Sequence, residues 1–346
     1  MPQPDSEVVR VVRAHRLSMS AAEDSVMQAL GERWLGVERA LEANINALAN
    51  EMIRRTQTGG TITPSMVRAA DRYKTLQEQA KAEINKYNKE ASAIISDGQT
   101  TAIEQGIQTA QDAIFSSFPS PISAQFDKIN IGAVESMIGM AGDGSPLSSL
   151  LGNDYGDAAE GMLQALINGV ASGKGAEQVA RDMATGTELG LDRSLLIART
   201  EMNRAYRSAS TEQYRQSGVT DGFMRLVARD EACIACLALD GERFATADEM
   251  DDHPNGRCTC VPIIAGEPPP EWEKADEWLA NQSEDKQREI LGNARFEMYQ
   301  NGTPLSAFGE KKQDDVWGAS PQIIPLRDLD TGGAVVRDSP ADQSSP

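Results

Sequence analysis

The chemistry-bearing residues of this chain are concentrated between positions 233 and 260. This stretch contains all four cysteines and one of the two histidines of the 346-residue sequence. Thiolate and imidazole groups are the usual ligands of structural zinc, and a Cys-x2-Cys pair presents both sulfurs on one side of a short loop. The candidate ligands are Cys233, Cys236, His253, Cys258 and Cys260. The spacing therefore predicts a structural zinc site with five candidate donors for four tetrahedral positions.

The last two cysteines leave the ligand set open. On an extended segment Cys258 and Cys260 point the same way, so both face one ion only if the strand lies beside it. Without a metal, these cysteines are small buried hydrophobic side chains or a disulfide pair. We favour Cys233, Cys236, His253 and Cys258 as the zinc ligands, with Cys260 as the alternative ligand.

Catalytic chemistry has weaker support in the sequence. A catalytic zinc ion needs an open coordination position, which a site filled by thiolates does not leave, and no His-Glu-x-x-His motif occurs. The sequence also lacks a Gly-x-Ser-x-Gly nucleophile turn and a Gly-x4-Gly-Lys-Ser/Thr phosphate loop. A nucleophilic pair of His253 with one cysteine is the remaining alternative. We therefore expect no enzymatic activity.

The segments around the cysteines predict a small mixed module that positions them. Residues 223–228 and 260–264 are short apolar runs typical of strands, and the Asp240-Gly241 step between them indicates a turn. Upstream, residues 192–216 predict a helix that ends at a Ser-Gly step.

The first third of the chain predicts long helices. Apolar residues recur at steps of three and four between positions 24 and 55, which is typical of one helix face. This run ends at Gly59-Gly60, and Thr63-Pro64 indicates the start of a second helical run to about residue 95. Two long antiparallel helices joined by a short connection form a hairpin. His15 precedes them in a polar stretch, and we expect its ring to be solvated.

The composition excludes several classes of partner. Lys+Arg 33 against Asp+Glu 52 gives a net charge of −19, and aromatic residues make up only 5%. Such acidity repels phosphate, and residues 230–260 alone carry eight acidic and two basic side chains. We therefore expect no sequence-specific nucleic-acid binding. We also expect no membrane span and a cytoplasmic chain, because no apolar stretch approaches about 20 residues and the N-terminus has no apolar signal-peptide core.

Three motifs follow one another in the second half of the chain. Residues 197–206 read Ile-Ala-Arg-Thr-Glu-Met-Asn-Arg-Ala-Tyr, and Tyr214 follows. Residues 230–241 read Asp-Glu-Ala-Cys-Ile-Ala-Cys-Leu-Ala-Leu-Asp-Gly, and residues 253–259 read His-Pro-Asn-Gly-Arg-Cys-Thr. In order and spacing, residues 158–264 resemble the phage Mu F-like (MuF) domain of minor head proteins.

Two details accompany this resemblance. A cysteine often stands in the family at the position of Gly256, and an apolar residue at that of Cys260, so the resemblance alone does not define the ligand set. It also suggests a role for the charged pair Arg199 and Glu201 in the first motif. We expect one of them to tie its helix to the cysteine-bearing turn near Asp230 or Asp240.

The resemblance implies a minor capsid (head morphogenesis) protein of a tailed bacteriophage. Such a protein associates with the portal vertex inside the head and acts in head assembly, DNA packaging or ejection. The implied partners are the portal protein and the major capsid or scaffolding protein. The implied location is the virion interior near the portal, with the host cytoplasm during assembly. The alternative is an enzyme with Cys/His hydrolase-like or toxin-type activity carried in the phage head.

We predict a mainly α fold with a small α+β module. The predicted domains are an N-terminal helical region at 1–141, a linker at 142–157, a MuF-like domain with short strands and the Cys/His cluster at 158–266, C-terminal helices at 267–309, and a disordered tail at 310–346. We expect the long hairpin to carry the main partner contact. Deleting residues 1–120 should then leave a folded C-terminal part that no longer joins heads.

Overall fold

The computed structural model describes residues 4–118, 136–141, 144–152, 154–250, 252–314 and 318–329. These residues form long N-terminal helices, further helices and a small module of short antiparallel strands, which confirms the predicted fold class. Of the predicted tail, residues 330–346 lie outside the described part of the chain.

The helices and strands have the following bounds. The helices are α1 Glu7–Gln57, α2 Pro64–Ala69, α3 Asp71–Ser116, α4 Leu147–Leu151, α5 Asp154–Ala171, α6 Ala176–Gly186, α7 Glu188–Ser217, α8 Ile234–Ala238, α9 Ala275–Ala280 and α10 Glu284–Gln300. The strands are β1 Thr220–Leu226, β2 Arg243–Ala245, β3 Thr259–Ile264, β4 Gly309–Asp314 and β5 Gly318–Ile323. The predicted linker thus includes α4 and the start of α5.

The long helices begin and end for local reasons. Helix α1 starts well before residue 24, because Val8, Val9 and Val12 continue the apolar spacing and are buried. Helix α2 starts where the sequence predicts, with the Thr63 hydroxyl accepting the Met66 backbone N–H at 3.3 Å.

Helix α3 continues past the predicted end near residue 95, through Gly98. A Cβ at Gly98 would lie 2.9 Å from Met202 Sδ and 3.0 Å from Val26 Cγ2. This glycine therefore permits close packing rather than a break in the helix.

Compactness divides the chain into two units. The helical unit comprises residues 21–100 and 136–202, and the sheet unit takes its described residues from 1–20, 101–135 and 203–346. The predicted MuF-like range is shared between them, because residues 158–202 group with the helical unit and 203–266 with the sheet unit. The domain boundaries predicted from the sequence concern segments that fold separately, and they stay a prediction.

The helical unit has the predicted apolar seam. Trp34 of α1 and Tyr87 of α3 are buried and meet edge to face, with ring centroids 4.8 Å apart. The seam is completed by residues from both helices and from α4 to α7, namely Leu30, Leu41, Leu48, Leu76, Ile84, Leu147, Leu163, Leu166, Val179, Met183 and Ile197. Self-packing therefore covers the seam, which leaves the more polar helix surfaces for any partner.

The sheet unit contains a three-stranded antiparallel sheet with the order β2-β1-β3. Arg225 in β1 pairs with Cys260 in β3, and Phe223 pairs with Phe244 in β2. This pairing confirms that residues 260–264 form the partner strand of the first run. It also places the start of β3, which directly follows Cys258, beside the central strand β1.

The two ends of the predicted hairpin belong to the core of the sheet unit. Val8, Val9 and Val12 of α1 and Ala113 of α3 pack in one cluster with sheet residues and Trp272. Deleting residues 1–120 would remove these four residues from the cluster, so the structure argues against a separately folded C-terminal part. The predicted helix did not include the apolar residues of α1 before position 24, and the deletion prediction therefore did not take them into account.

The predicted disordered tail is also corrected for its described part. Strands β4 and β5 form an antiparallel hairpin, and Leu326 and Leu329 after it are buried in the core of the sheet unit. The hairpin packs closely on α8, since a Cβ at Gly309 would lie 2.7 Å from Ala238 Cβ. Residues 310–314 have mostly polar side chains, so the pattern of apolar residues in the sequence did not predict this hairpin.

Two smaller expectations have definite outcomes. His15 is partly buried rather than fully solvated, and its Nε2 lies 2.9 Å from Asp112 Oδ2. Among the residues that the structure describes, no helix combines the length and apolar character that crossing a bilayer requires.

Candidate metal centre

The cysteine pair is presented by the start of helix α8. Cys233 is the N-cap residue of this short helix, and its Sγ accepts the backbone N–H of Cys236 at 3.4 Å. One helical turn separates the two residues, which brings both sulfurs to the same end of α8. Cys236 is buried and Cys233 is partly exposed.

His253 reaches this pair from the loop between β2 and β3. Its Nε2 lies 3.2 Å from Cys233 Sγ and 3.2 Å from Cys236 Sγ. Its Nδ1 lies 2.7 Å from the Pro254 carbonyl oxygen. That carbonyl can only accept, so Nδ1 carries a proton, and in the neutral ring Nε2 presents its lone pair toward the two sulfurs.

This arrangement fits a zinc ion. The donor atoms of Cys233, Cys236 and His253 all lie within 4.8 Å of one another. Tetrahedral zinc with Zn–S of about 2.3 Å and Zn–N of about 2.0 Å requires S···N separations of about 3.6 Å, close to those observed. A histidine ligand whose second nitrogen is fixed by a backbone carbonyl is also the usual arrangement in zinc sites. The three residues can therefore hold zinc.

Cys258 lies close to the cluster on the side of Cys236. The donor atoms of Cys236, Cys258 and Asp252 form a second group within 4.8 Å of one another. Cys236 thus belongs to both groups and connects Cys258 to the Cys233–His253 side. A zinc ion with all four predicted ligands would therefore require Cys258 Sγ to bind together with the donor atoms of Cys233, Cys236 and His253.

Cys260 is placed differently from the other cysteines. Its Sγ lies 3.7 Å from Met250 Sδ, and neither donor group among the described residues includes it. Burial raises the pKa of its thiol to about 12. These observations favour a packing role for Cys260 over its role as the alternative ligand.

Asp252 is part of the candidate site, and the sequence reasoning did not single it out. Its Oδ1 accepts the backbone N–H of His253 at 3.0 Å and lies 3.8 Å from Cys236 Sγ, while its Oδ2 lies 3.0 Å from Arg207 Nη1. The sequence presents it as one of eight acidic residues in this stretch. Its position directly before His253 was the available signal.

Neighbouring groups shift the pKa values of the cysteines and the histidine in the cluster. The hydrogen bond with Cys236, followed by the hydrogen bond and the charge of His253, lowers the pKa of Cys233 to about 4. Burial opposes protonation of His253, yet the Cys233 thiolate and Asp252 raise the pKa of His253 to about 9. Hydrogen bonds with Cys233 and Cys258 raise the pKa of Cys236 well above its usual range. In the absence of metal, Cys233 and His253 therefore form a thiolate–imidazolium pair at neutral pH.

The expected tie of Arg199 or Glu201 to the turn near Asp230 or Asp240 stays a prediction, but Arg199 has a defined contact of its own. Arg199 Nε lies 3.4 Å from Glu23 Oε2 of α1, within the helical unit. Asp240 of the turn accepts hydrogen bonds from Trp272 Nε1 at 3.0 Å and from the Ala275 backbone N–H at 2.9 Å. Arg199 is thus an interhelical contact, and Asp240 binds the segment that leads into α9.

The comparison with known proteins agrees with the motifs. A family model described as Phage Mu protein F like protein matches residues 160–262. The match spans most of α5 through most of β3 and includes all five candidate donors. The match covers less than half of the chain and supports the resemblance of residues 160–262 to the phage Mu F-like head morphogenesis family. Neither the curated proteins nor the solved structures gave a match to this chain.

Proposed function

We propose that this protein is a minor capsid protein of a tailed bacteriophage that binds the portal vertex inside the head and acts in head assembly, DNA packaging or ejection. The observation that supports the proposal is the match of residues 160–262 to the phage Mu F-like family, which suggests a role in head morphogenesis. The portal protein is the proposed main partner, and the major capsid or scaffolding protein is a further one. The role is structural rather than enzymatic.

The helical unit is the proposed partner-binding part. Residues 21–57 of α1 extend about 55 Å at 1.5 Å per residue, a length suited to contact with a large assembly. The apolar seam is occupied internally, so the contact must use the outer surfaces. Those surfaces carry the exposed apolar side chains Leu35, Met66, Leu189 and Leu196.

Crosslinking within purified virions tests this assignment. Lys74, Lys81, Lys86 and Lys89 are exposed on α3, and Lys312 is exposed in the sheet unit. We expect amine-reactive crosslinks from the α3 lysines to the portal protein. If only Lys312 formed crosslinks to the portal protein, the portal contact would belong to the sheet unit instead. Virions without the chain, or without any link between it and the portal, would contradict the proposed role.

The Cys/His cluster is proposed to be a structural zinc site with Cys233, Cys236, His253 and Cys258 as ligands. Zinc bound there would cross-link α8, the His253 loop and the start of β3, and such binding contributes on the order of 10 kcal/mol to folding in zinc-dependent modules. Elemental analysis of reduced full-length protein should find about one zinc per chain. Cys233→Ser should lose it, whereas the matched control Cys260→Ser should keep it. Wild-type protein with far less than one zinc would contradict the site.

The enzymatic alternative has one specific observation in its favour, the 3.2 Å contact between Cys233 Sγ and His253 Nε2. A thiolate beside an imidazolium is the arrangement of cysteine nucleophiles. The two functions predict different effects of Cys233→Ser. Loss of a structural zinc ligand should lower thermal stability, whereas loss of a nucleophile should leave it unchanged. A zinc-free wild type with a fully stable Cys233→Ser variant would favour the enzyme.

A further inference from the structure

Helices α1 and α7 share an outer face of the helical unit. Arg199 Nε of α7 lies 3.4 Å from Glu23 Oε2 of α1. Further along both helices, Glu188 of α7 is close enough to Glu38 of α1 for its charge to act on the Glu38 carboxyl group. The order of these two contacts is reversed between the helices, so they lie antiparallel. At 1.5 Å per residue, they run side by side for about 16–22 Å.

Exposed leucines lie along this stretch. Six large apolar side chains are exposed among the described residues, and three of them are Leu35 of α1 and Leu189 and Leu196 of α7, at 46%, 51% and 36%. Leu189 and Leu196 are two helical turns apart and therefore follow one stripe along α7. Gly31, one turn before Leu35, leaves open space, because an added Cβ would meet no atom from another part of the chain within 4 Å. Single exposed leucines are ordinary, but a group of them is typical of a protein-binding surface.

Two carboxylates accompany these leucines. Glu38 follows Leu35 by three residues on α1, and Glu188 directly precedes Leu189 on α7. Partial burial, followed by the charge of Glu188, raises the pKa of the Glu38 carboxyl group. Neither carboxylate forms an ion pair with a residue that the structure describes, whereas Glu51 of the same helix contacts two arginines. The face thus carries two neighbouring negative charges without a cationic partner in the described part of the chain.

We propose that this α1–α7 face, made of Leu35, Glu38, Glu188, Leu189 and Leu196, docks a protein segment that carries a lysine or arginine among apolar side chains. The inference rests on the proposed function, under which the segment belongs to the portal protein, and it names the contact surface and its chemistry. Apolar side chains of the segment cover the leucines, and its basic group lies near the two carboxylates. A second copy of this chain is disfavoured, because an isologous contact would bring the acidic face against itself.

The charge of the face is tested by measuring how full-length protein binds purified portal protein of the same phage, using biolayer interferometry. Glu38→Lys should raise the Kd at least about tenfold, because it places like charges together across the interface. The variant also replaces the repulsion between Glu38 and Glu188 by an attraction, so its melting temperature should not fall. Weaker binding would then not result from unfolding. The matched control is Glu297→Lys, which makes the same change of charge at an exposed position on helix α10 of the sheet unit and should leave the Kd unchanged.

The apolar part of the face is tested in the same assay. Leu35→Ala combined with Leu196→Ala should raise the Kd about tenfold, because both side chains become buried in the complex. The matched control is Leu17→Ala, which removes an exposed leucine from the part of α1 that belongs to the sheet unit and should have no effect.

The outcomes separate this inference from the proposed function. Portal binding by wild type with an unchanged Kd for Glu38→Lys would overturn the docking face and leave the proposed function intact. Equal weakening by Glu38→Lys and Glu297→Lys would also overturn the face, because the effect would follow net charge alone. A wild-type dimer in sedimentation velocity that Glu38→Lys dissociates would assign the face to a second copy and overturn the proposal. Wild type that does not bind portal protein would overturn the proposed function together with this inference.

Discussion

Gly309 joins the C-terminal hairpin to the helix that carries the cysteine pair, and Gly309→Ala should loosen both. The backbone at Gly309 is extended, with φ of −130°, so alanine meets no conformational penalty there. The added Cβ would lie 2.7 Å from Ala238 Cβ, 2.9 Å from Ala235 Cα and 3.0 Å from Ala235 O. Two of these atoms are backbone, so α8 or β4 has to move.

The expected cost follows from that clash. Overpacking a close contact typically costs 1–3 kcal/mol, and the gain from replacing a glycine offsets roughly 0.4–1 kcal/mol of it. We therefore expect Gly309→Ala to lower the free energy of unfolding of the sheet unit by about 1–2 kcal/mol. Because α8 carries Cys233 and Cys236, zinc affinity should fall as well.

Hydrogen–deuterium exchange locates this effect. Peptides covering residues 229–245 should exchange faster in Gly309→Ala, whereas peptides covering residues 71–90 of the helical unit should not change. The matched control is Gly36→Ala, an exposed helical glycine with no atom within 4 Å of an added Cβ, which should be neutral or stabilising. Unchanged exchange at 229–245 would refute the reasoning that β4 supports α8.

Three further predictions concern single side chains. Trp34→Ala should cost about 3–5 kcal/mol in urea denaturation, because the ring is fully buried against Tyr87; a loss below 1 kcal/mol would contradict its central role in the seam. Asp240→Asn should destabilise the sheet unit by about 1–3 kcal/mol, measured as a lower melting temperature, because its amide would face the buried Val227 N–H that Asp240 now accepts. Burial lowers the pKa of Lys274 to about 8, so the folded protein loses this proton before the unfolded chain, and stability should rise between pH 8 and its unfolded value of 10.5. Lys274→Met should flatten that rise in urea midpoints, and an equal rise in both proteins would assign it to another group.

The spacing of apolar residues predicted the buried residues correctly where a helix buries one continuous face. The seam residues of α1 and α3, such as Trp34 and Ile84, lie where the spacing predicts. The same argument failed for the β4–β5 hairpin, because its stability depends on contact with α8 through Gly309 rather than on its own apolar residues. No local pattern reports a contact between segments that lie about 70 positions apart in the sequence.

The sequence identified the candidate ligands of the metal centre by their residue types, but it did not identify the residues that surround them. Cysteine and histidine are rare in this chain, so Cys233, Cys236 and His253 are conspicuous, and the structure brings them together. Asp252, Arg207 and Arg225 belong to common residue types whose usual place is the solvated surface. Their burial follows from tertiary packing, which the one-dimensional pattern does not contain.

The sheet unit has a consequence for how the chain is made. Its core joins Val8, Val9 and Val12 to residues such as Met224 and Trp272, more than 200 positions later. At synthesis rates of about 5–20 residues per second, these valines leave the ribosome roughly 10–50 s before their partners exist. During that interval the start of α1 displays an apolar surface on the nascent chain. This core can therefore form only after Trp272 has been synthesised, and until then the three valines lack the sheet residues that bury them.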